Sequence, residues 1–123
     1  MYRKRRRRIS LKGRRAEYLG NRERARELVK ERIEYFNRHY NFKVGRIAIR
    51  NQKTRWGSCS KRGNMNFNYK IALLPAPLAD YIIVHELCHI GEFNHSHKFW
   101  ALVVRTIPDY KKLRHELKRG KML

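Results

Sequence analysis

The stretch Tyr81-Ile82-Ile83-Val84-His85-Glu86-Leu87-Cys88-His89 sets three polar side chains into an otherwise apolar segment. A helix that is apolar on several sides is a central, buried one. His85, Glu86 and His89 therefore constrain the fold, because each costs free energy inside it unless a partner satisfies it. Their spacing says what that partner is. On an α-helix, residues four apart share one side, so His85 and His89 can both offer an imidazole nitrogen to a single metal ion. Glu86 projects about 100° further round. There it stands beside the ion, where a general base takes a proton from metal-bound water. The competing reading is an accidental His-Glu-x-x-His on an exposed helix, and the apolar neighbours weigh against it.

Two histidines leave the site incomplete. His95 follows His89 by six residues, and a continued helix would rotate it by about 600°, off the direction of the first two. The helix must stop between them, and Gly91 and Asn94 are suited to ending it and turning the chain. His95 then approaches from a loop. Ser96 is placed to cap a new helix, in which Phe99, Trp100, Val103, Val104 and Ile107 keep helical spacing. His97 and Glu116 are rival third ligands. The first reads as a surface residue in that helix's first turn, the second as part of a charged C-terminal helix face.

The remainder of the chain supplies a scaffold. From about Asn21 to Tyr40, residues Ala25, Leu28, Val29, Ile33, Phe36 and Tyr40 recur every three or four positions with charges between them, which predicts one long amphipathic helix. Ile47 and Ile49 alternate with Arg46, Ala48 and Arg50 as a strand. Thr54–Cys59 and Asn64–Tyr69 read as two more strands around a Ser60-Lys61-Arg62-Gly63 turn, with Met65, Phe67 and Tyr69 on one face. Pro77 opens the helix that carries His85, Pro108 opens a last basic helix, and Gly120 ends it. The expectation is an α+β domain: a short antiparallel sheet packed on an N-terminal helix and on the His85–His89 helix.

Arg55-Trp56-Gly57-Ser58-Cys59, the strand-like Asn64-Met65-Asn66-Phe67-Asn68, the His-Glu-Leu-Cys-His helix and Asn94-His95-Ser96 leading to Phe99-Trp100 together resemble the YgjP-like metallopeptidases, relatives of the SprT and Spartan group. The resemblance covers about residues 45–110. It implies a small zincin-like fold with one Zn2+ per chain, held by His85, His89 and His95, with Glu86 as the catalytic glutamate. It also makes Trp56, Gly57, Ser58 and Cys59 the candidate edge strand for an extended protein or peptide substrate, and His97 a bystander. The Spartan branch further implies cleavage of DNA-bound proteins. Metzincins share the three-histidine spacing, but Glu92 stands where they have glycine, and the only later methionine is Met122. For the oxyanion, Arg55, Tyr110 and His97 all remain candidates.

Charge and cysteine content set the surroundings. Lys and Arg number 31 against 10 Asp and Glu, a net +21. The first 15 residues hold nine of those cations, so residues 16–123 still carry a net +12. Such a charge implies anionic partners, with nucleic acid first and an anionic membrane surface second. Residues 1–15 read as a disordered basic arm, in which Arg3, Lys4, Arg5, Arg6, Arg7 and Arg8 would contact phosphates. No apolar segment follows as in a signal peptide, and none is long enough to span a bilayer. Cys59 and Cys88 form no paired zinc motif and read as two reduced thiols of a cytoplasmic protein, Cys88 as a small core residue. The competing functional class is a nucleic-acid-binding module with a purely structural zinc. Glu86 beside an open fourth metal position favours a zinc metalloendopeptidase, because structural zinc sites are closed by four protein ligands.

Overall fold

The computed structural model describes residues 11–120. Helix α1 runs Leu11–Asn37 and buries Ala25, Val29, Ile33 and Phe36, one stripe at helical spacing. It begins ten residues before the expected start, so residues 11–15 are helical rather than part of an arm. Arg, Lys, Leu, Ala and Glu are good helix formers without an apolar stripe, and tertiary partners hold this first half. The Tyr69 hydroxyl donates to Glu17, and the Tyr18 hydroxyl to the Ile49 carbonyl at 3.3 Å. At the other end Asn37 exchanges two 2.9 Å hydrogen bonds with the Phe42 backbone, which turns the chain before Tyr40. Residues Arg3 to Arg8 lie outside the described residues.

The sheet has three strands, β1 Ile47–Arg50, β2 Gly57–Cys59 and β3 Met65–Asn68, in the order β1-β3-β2. Strands β2 and β3 form the expected antiparallel hairpin, with Ser58 opposite Asn66. Gly63 closes its turn at φ +88°, a left-handed conformation that glycine adopts without strain. Strand β1 pairs with β3 in parallel, Ile49 beside Phe67, so the sheet is mixed rather than wholly antiparallel. The cause is burial. Met65, Phe67 and Asn68 are all but inaccessible, and the middle position gives β3 a neighbour on each side.

A 3-10 turn at Tyr69–Leu73 leads into helix α2, Ala76–Cys88, with Pro77 in its first turn as expected. Helix α2 buries Ala79, Tyr81, Ile82, Ile83, Val84, Leu87 and Cys88, which makes it the centre of the molecule. Arg32 of α1 ties it down with two hydrogen bonds to Asp80, 2.9 and 3.1 Å long, while its guanidinium lies over the Phe36 ring. Helices α3, His97–Val104, and α4, Tyr110–Gly120, complete the α+β arrangement. Among the described residues no helix is long and apolar enough to cross a membrane.

Candidate active site

Helix α2 and the loop after it bring three imidazoles together. His89 caps α2 but keeps helical angles, φ −67° and ψ −17°, so His85 and His89 stay one turn apart on one side. The amides of Gly91 and Glu92 donate to the Cys88 carbonyl and finish the turn. The chain then returns to Ser96, whose hydroxyl accepts from the Phe99 amide at the start of α3. One donor atom from each of His85, His89 and His95 lies within 4.8 Å of the others, and the His89 and His95 Nε2 atoms are 3.0 Å apart. A tetrahedral ion with bonds of about 2.0–2.1 Å spaces its ligand nitrogens by roughly 3.4 Å. Three imidazoles are a donor set that zinc takes; the His89–His95 pair stands close to that spacing, and the widest pair would have to draw in to bind one ion.

The rings are held as well as grouped. Phe99 stacks on His89 with centroids 4.4 Å apart and meets His85 edge-on at 5.2 Å, while Trp100 stacks on His95 at 5.8 Å. His89 Nδ1 is 3.2 Å from the Glu92 carbonyl, to which an Nδ1–H donates, leaving the Nε2 lone pair toward the cluster. Burial, then the neighbouring His85, lowers the pKa of both His89 and His95. Both favour the neutral imidazole, the form that ligates metal.

Glu86 is 8% exposed, one of two buried polar or charged side chains among the described residues. Its Oε2 lies 3.3 Å from His85 Nδ1. Strand β2 runs past it as a sheet edge, and a cleft lined by Arg55, Gly57, Ser58 and Cys59 opens onto His85, Glu86, His89 and His95. Gly57 makes the approach possible: a Cβ there would stand 3.2 Å from Glu86 Cγ and 3.0 Å from the Asn66 carbonyl oxygen. The Trp56 carbonyl and the Ser60 amide bond inward to Asn68 and Asn64. By antiparallel alternation, the Gly57 and Cys59 backbone groups face outward. Asn68 fixes where this strand starts, since its buried amide donates to the carbonyls of Gln52 at 2.7 Å and Arg55 at 3.0 Å.

Residues 5–120 match the model of the YgjP-like metallopeptidase domain. The chain belongs to this metallopeptidase family. Its fold is similar to that of the metallopeptidase zymogen abylysin of Pyrococcus abyssi, with a TM-score of 0.68, 21% identity, and coverage of 77% of this chain and 99% of that one. It is also similar to the metallopeptidase zymogen jannalysin of Methanocaldococcus jannaschii, with a TM-score of 0.63, 22% identity, and coverage of 75% and 95%. No curated protein matches the chain.

Against this metallopeptidase frame the rival ligands fall apart in space. His97 is exposed at the start of α3 and Glu116 is exposed on α4, and neither joins the histidine cluster. Tyr110 lies flat on Trp100, 4.8 Å away and 11° from parallel, while Arg55 lines the cleft. Sequence reasoning missed Arg114 and Lys118 of α4, which line a second cleft that reaches His85 and Glu86 beside Trp56 and Tyr81. The signal was present in part. Leu113 and Leu117 on α4 mark its buried side, and Arg114 and Lys118 follow each by one residue, but nothing in the spacing says that this edge faces α2.

Proposed function

We propose that this protein is a zinc-dependent metalloendopeptidase in which His85, His89 and His95 hold the ion and Glu86 is the general base. The observation that carries this reading is the buried Glu86 carboxylate beside three converging imidazoles, with an unpaired strand edge along the same opening. A zinc ion held by the three imidazoles would supply Lewis acidity and make a water molecule easier to deprotonate near neutral pH. Glu86 takes the proton of the attacking water and delivers it to the leaving amine. Phe99 and Trp100 keep the imidazoles in place, so little reorganisation accompanies the reaction. The outward backbone groups of Gly57 and Cys59 pair with an extended substrate, which gives affinity with little sequence preference. Arg55, which lines the cleft, would stabilise the developing oxyanion, whereas Tyr110 is stacked on Trp100. The net charge of +21 supports an association with nucleic acid through phosphates, and with it access to DNA-bound protein substrates.

The test combines metal content with hydrolysis. Purified protein should hold about one zinc per chain, and His95→Ala should lose it while His97→Ala keeps it. Glu86→Gln should keep the zinc and lower peptide hydrolysis by at least about 100-fold. A chelator should abolish wild-type activity and added zinc restore it. Zinc retained with no hydrolysis in any variant would establish a structural site in a binding module instead.

A further inference from the structure

The cleft on the α4 side of Glu86 has a different character from the one along β2. Tyr81 and Ile82 of α2, Leu117 of α4 and the half-buried Trp56 give it apolar walls, and its volume is about 230 Å³. That is below the roughly 300–1,000 Å³ of pockets for drug-sized ligands, and suits one amino-acid side chain. Arg55, Arg114 and Lys118 also line it, and the one acid among its lining residues is Glu86. The exposed Arg114 has its guanidinium 5.3 Å from the centroid of the Trp100 ring, which itself stacks on Tyr110 and on His95. Asp80, the other acid on α2, is paired with Arg32 of α1, so among the lining residues Glu86 alone offsets the three cations.

We infer that this cleft is a substrate subsite for an acidic side chain, with Arg114 as its specificity-determining residue and acidic peptide segments as the preferred substrate class. The inference rests on the peptidase reading above. Because the cleft reaches His85 and Glu86, its occupant is a residue next to the cleaved bond. An aspartate or glutamate lays its stem against Tyr81, Ile82 and Leu117 and its carboxylate at the guanidinium of Arg114, a charge-assisted contact that a neutral side chain cannot make. A lysine meets three like charges there and is rejected. The same cations attract nucleic-acid phosphates. A peptide is favoured because the cations share an apolar-walled cleft with Glu86, beside a strand whose outward groups would pair with a peptide backbone.

The experiment uses the zinc-loaded full chain and quenched fluorogenic peptides that carry Glu, Gln, Leu or Lys at each position flanking the cleaved bond. At one of these positions, Glu should exceed Gln by about tenfold and Lys by about 100-fold in kcat/KM, mostly through KM. Arg114→Glu should invert the order of Glu and Lys, and Arg114→Lys should restore it in part. Lys118→Glu, which leaves the Trp100 stack intact, should weaken the same preference if Arg114→Glu fails to fold. Binding of the labelled Glu and Lys peptides to the Glu86→Gln protein should show the same order without turnover. Equal cleavage of the Glu, Gln and Lys peptides would overturn the subsite and leave the peptidase standing. No cleavage of any peptide would overturn the peptidase reading and the subsite with it. A short oligonucleotide whose binding depends on Arg114, with no Arg114-dependent preference among the peptides, would assign the cleft to phosphate and overturn the inference.

Discussion

A single methyl group at position 57 would crowd Glu86. The β-carbon of an alanine at Gly57 would press on the Asn66 carbonyl oxygen at 3.0 Å, on Phe67 at 3.2 Å and on Glu86 Cγ at 3.2 Å. The first of these belongs to the backbone and the second to a fully buried ring, so Glu86 is the group that yields. If Glu86 is the general base proposed above, Gly57→Ala should lower kcat by roughly 10- to 100-fold, because a small misplacement of a catalytic group is costly, and should leave zinc content unchanged. Overpacking should also cost about 1–3 kcal/mol of stability in denaturant titration. Unchanged kcat would mean that β2 does not position the carboxylate. The sequence makes the histidines and Glu86 readable because all but His95 depend on the period of one helix. The role of Gly57 is not readable in that way. It depends on the distance between β2 and α2, which no local period encodes, and the same holds for Arg114 at the far side of the cleft.

Among the elements, α2 was the most legible and also carries the largest electrostatic consequence. Its apolar run and Pro77 place it within a residue, and the interior it creates holds Tyr81 and Cys88. Burial pushes both groups up to about 12, with nearby Arg114 opposing the shift at Tyr81, and Tyr40 and Arg105 opposing it at Cys88. In the unfolded chain the same groups titrate near 10 for tyrosine and 8.5 for cysteine. Folded values raised above unfolded ones mean that the unfolded state loses its protons first. Stability from these groups is thus complete below about pH 8.5 and falls as pH rises toward about 12. The denaturation midpoint should decline through that window, and Cys88→Ala should flatten its lower part; a midpoint flat from pH 8 to 11 would contradict the burial of these groups. The other elements were legible where burial has a period and not where it depends on partners. The stripe of α1 from Ala25 to Phe36 was read directly, but its first turns rest on contacts with Ile49 and Tyr69 that only the folded chain makes. The hairpin follows from its turn. The parallel pairing of β1 comes from the competition for the middle of the sheet, a property of the assembled layers.

For the whole molecule, charge is the property read most directly from the sequence and located least by it. The net +21 is a sum over residues, whereas binding depends on where the cations gather. Removal of residues 1–10 takes away six cations, Arg3 to Arg8, and leaves the remaining chain at +15. The cut belongs before Leu11 rather than after Arg15, because α1 begins at Leu11 and a longer deletion would shorten the helix that carries Glu17 and Tyr18. If nucleic acid is held through phosphates, affinity must fall with salt at a log–log slope of about −0.9 per phosphate neutralised on duplex DNA and about −0.7 on single strands. The shortened protein should then keep binding with a shallower slope, since the body retains most of the charge. Sequence preference should be slight in both proteins, because contacts to phosphate carry no base information. Equal affinity and equal slope in the two proteins would remove Arg3 to Arg8 from nucleic-acid binding. A slope near zero in both would remove counterion release altogether, and with it phosphate contact as the use of this charge.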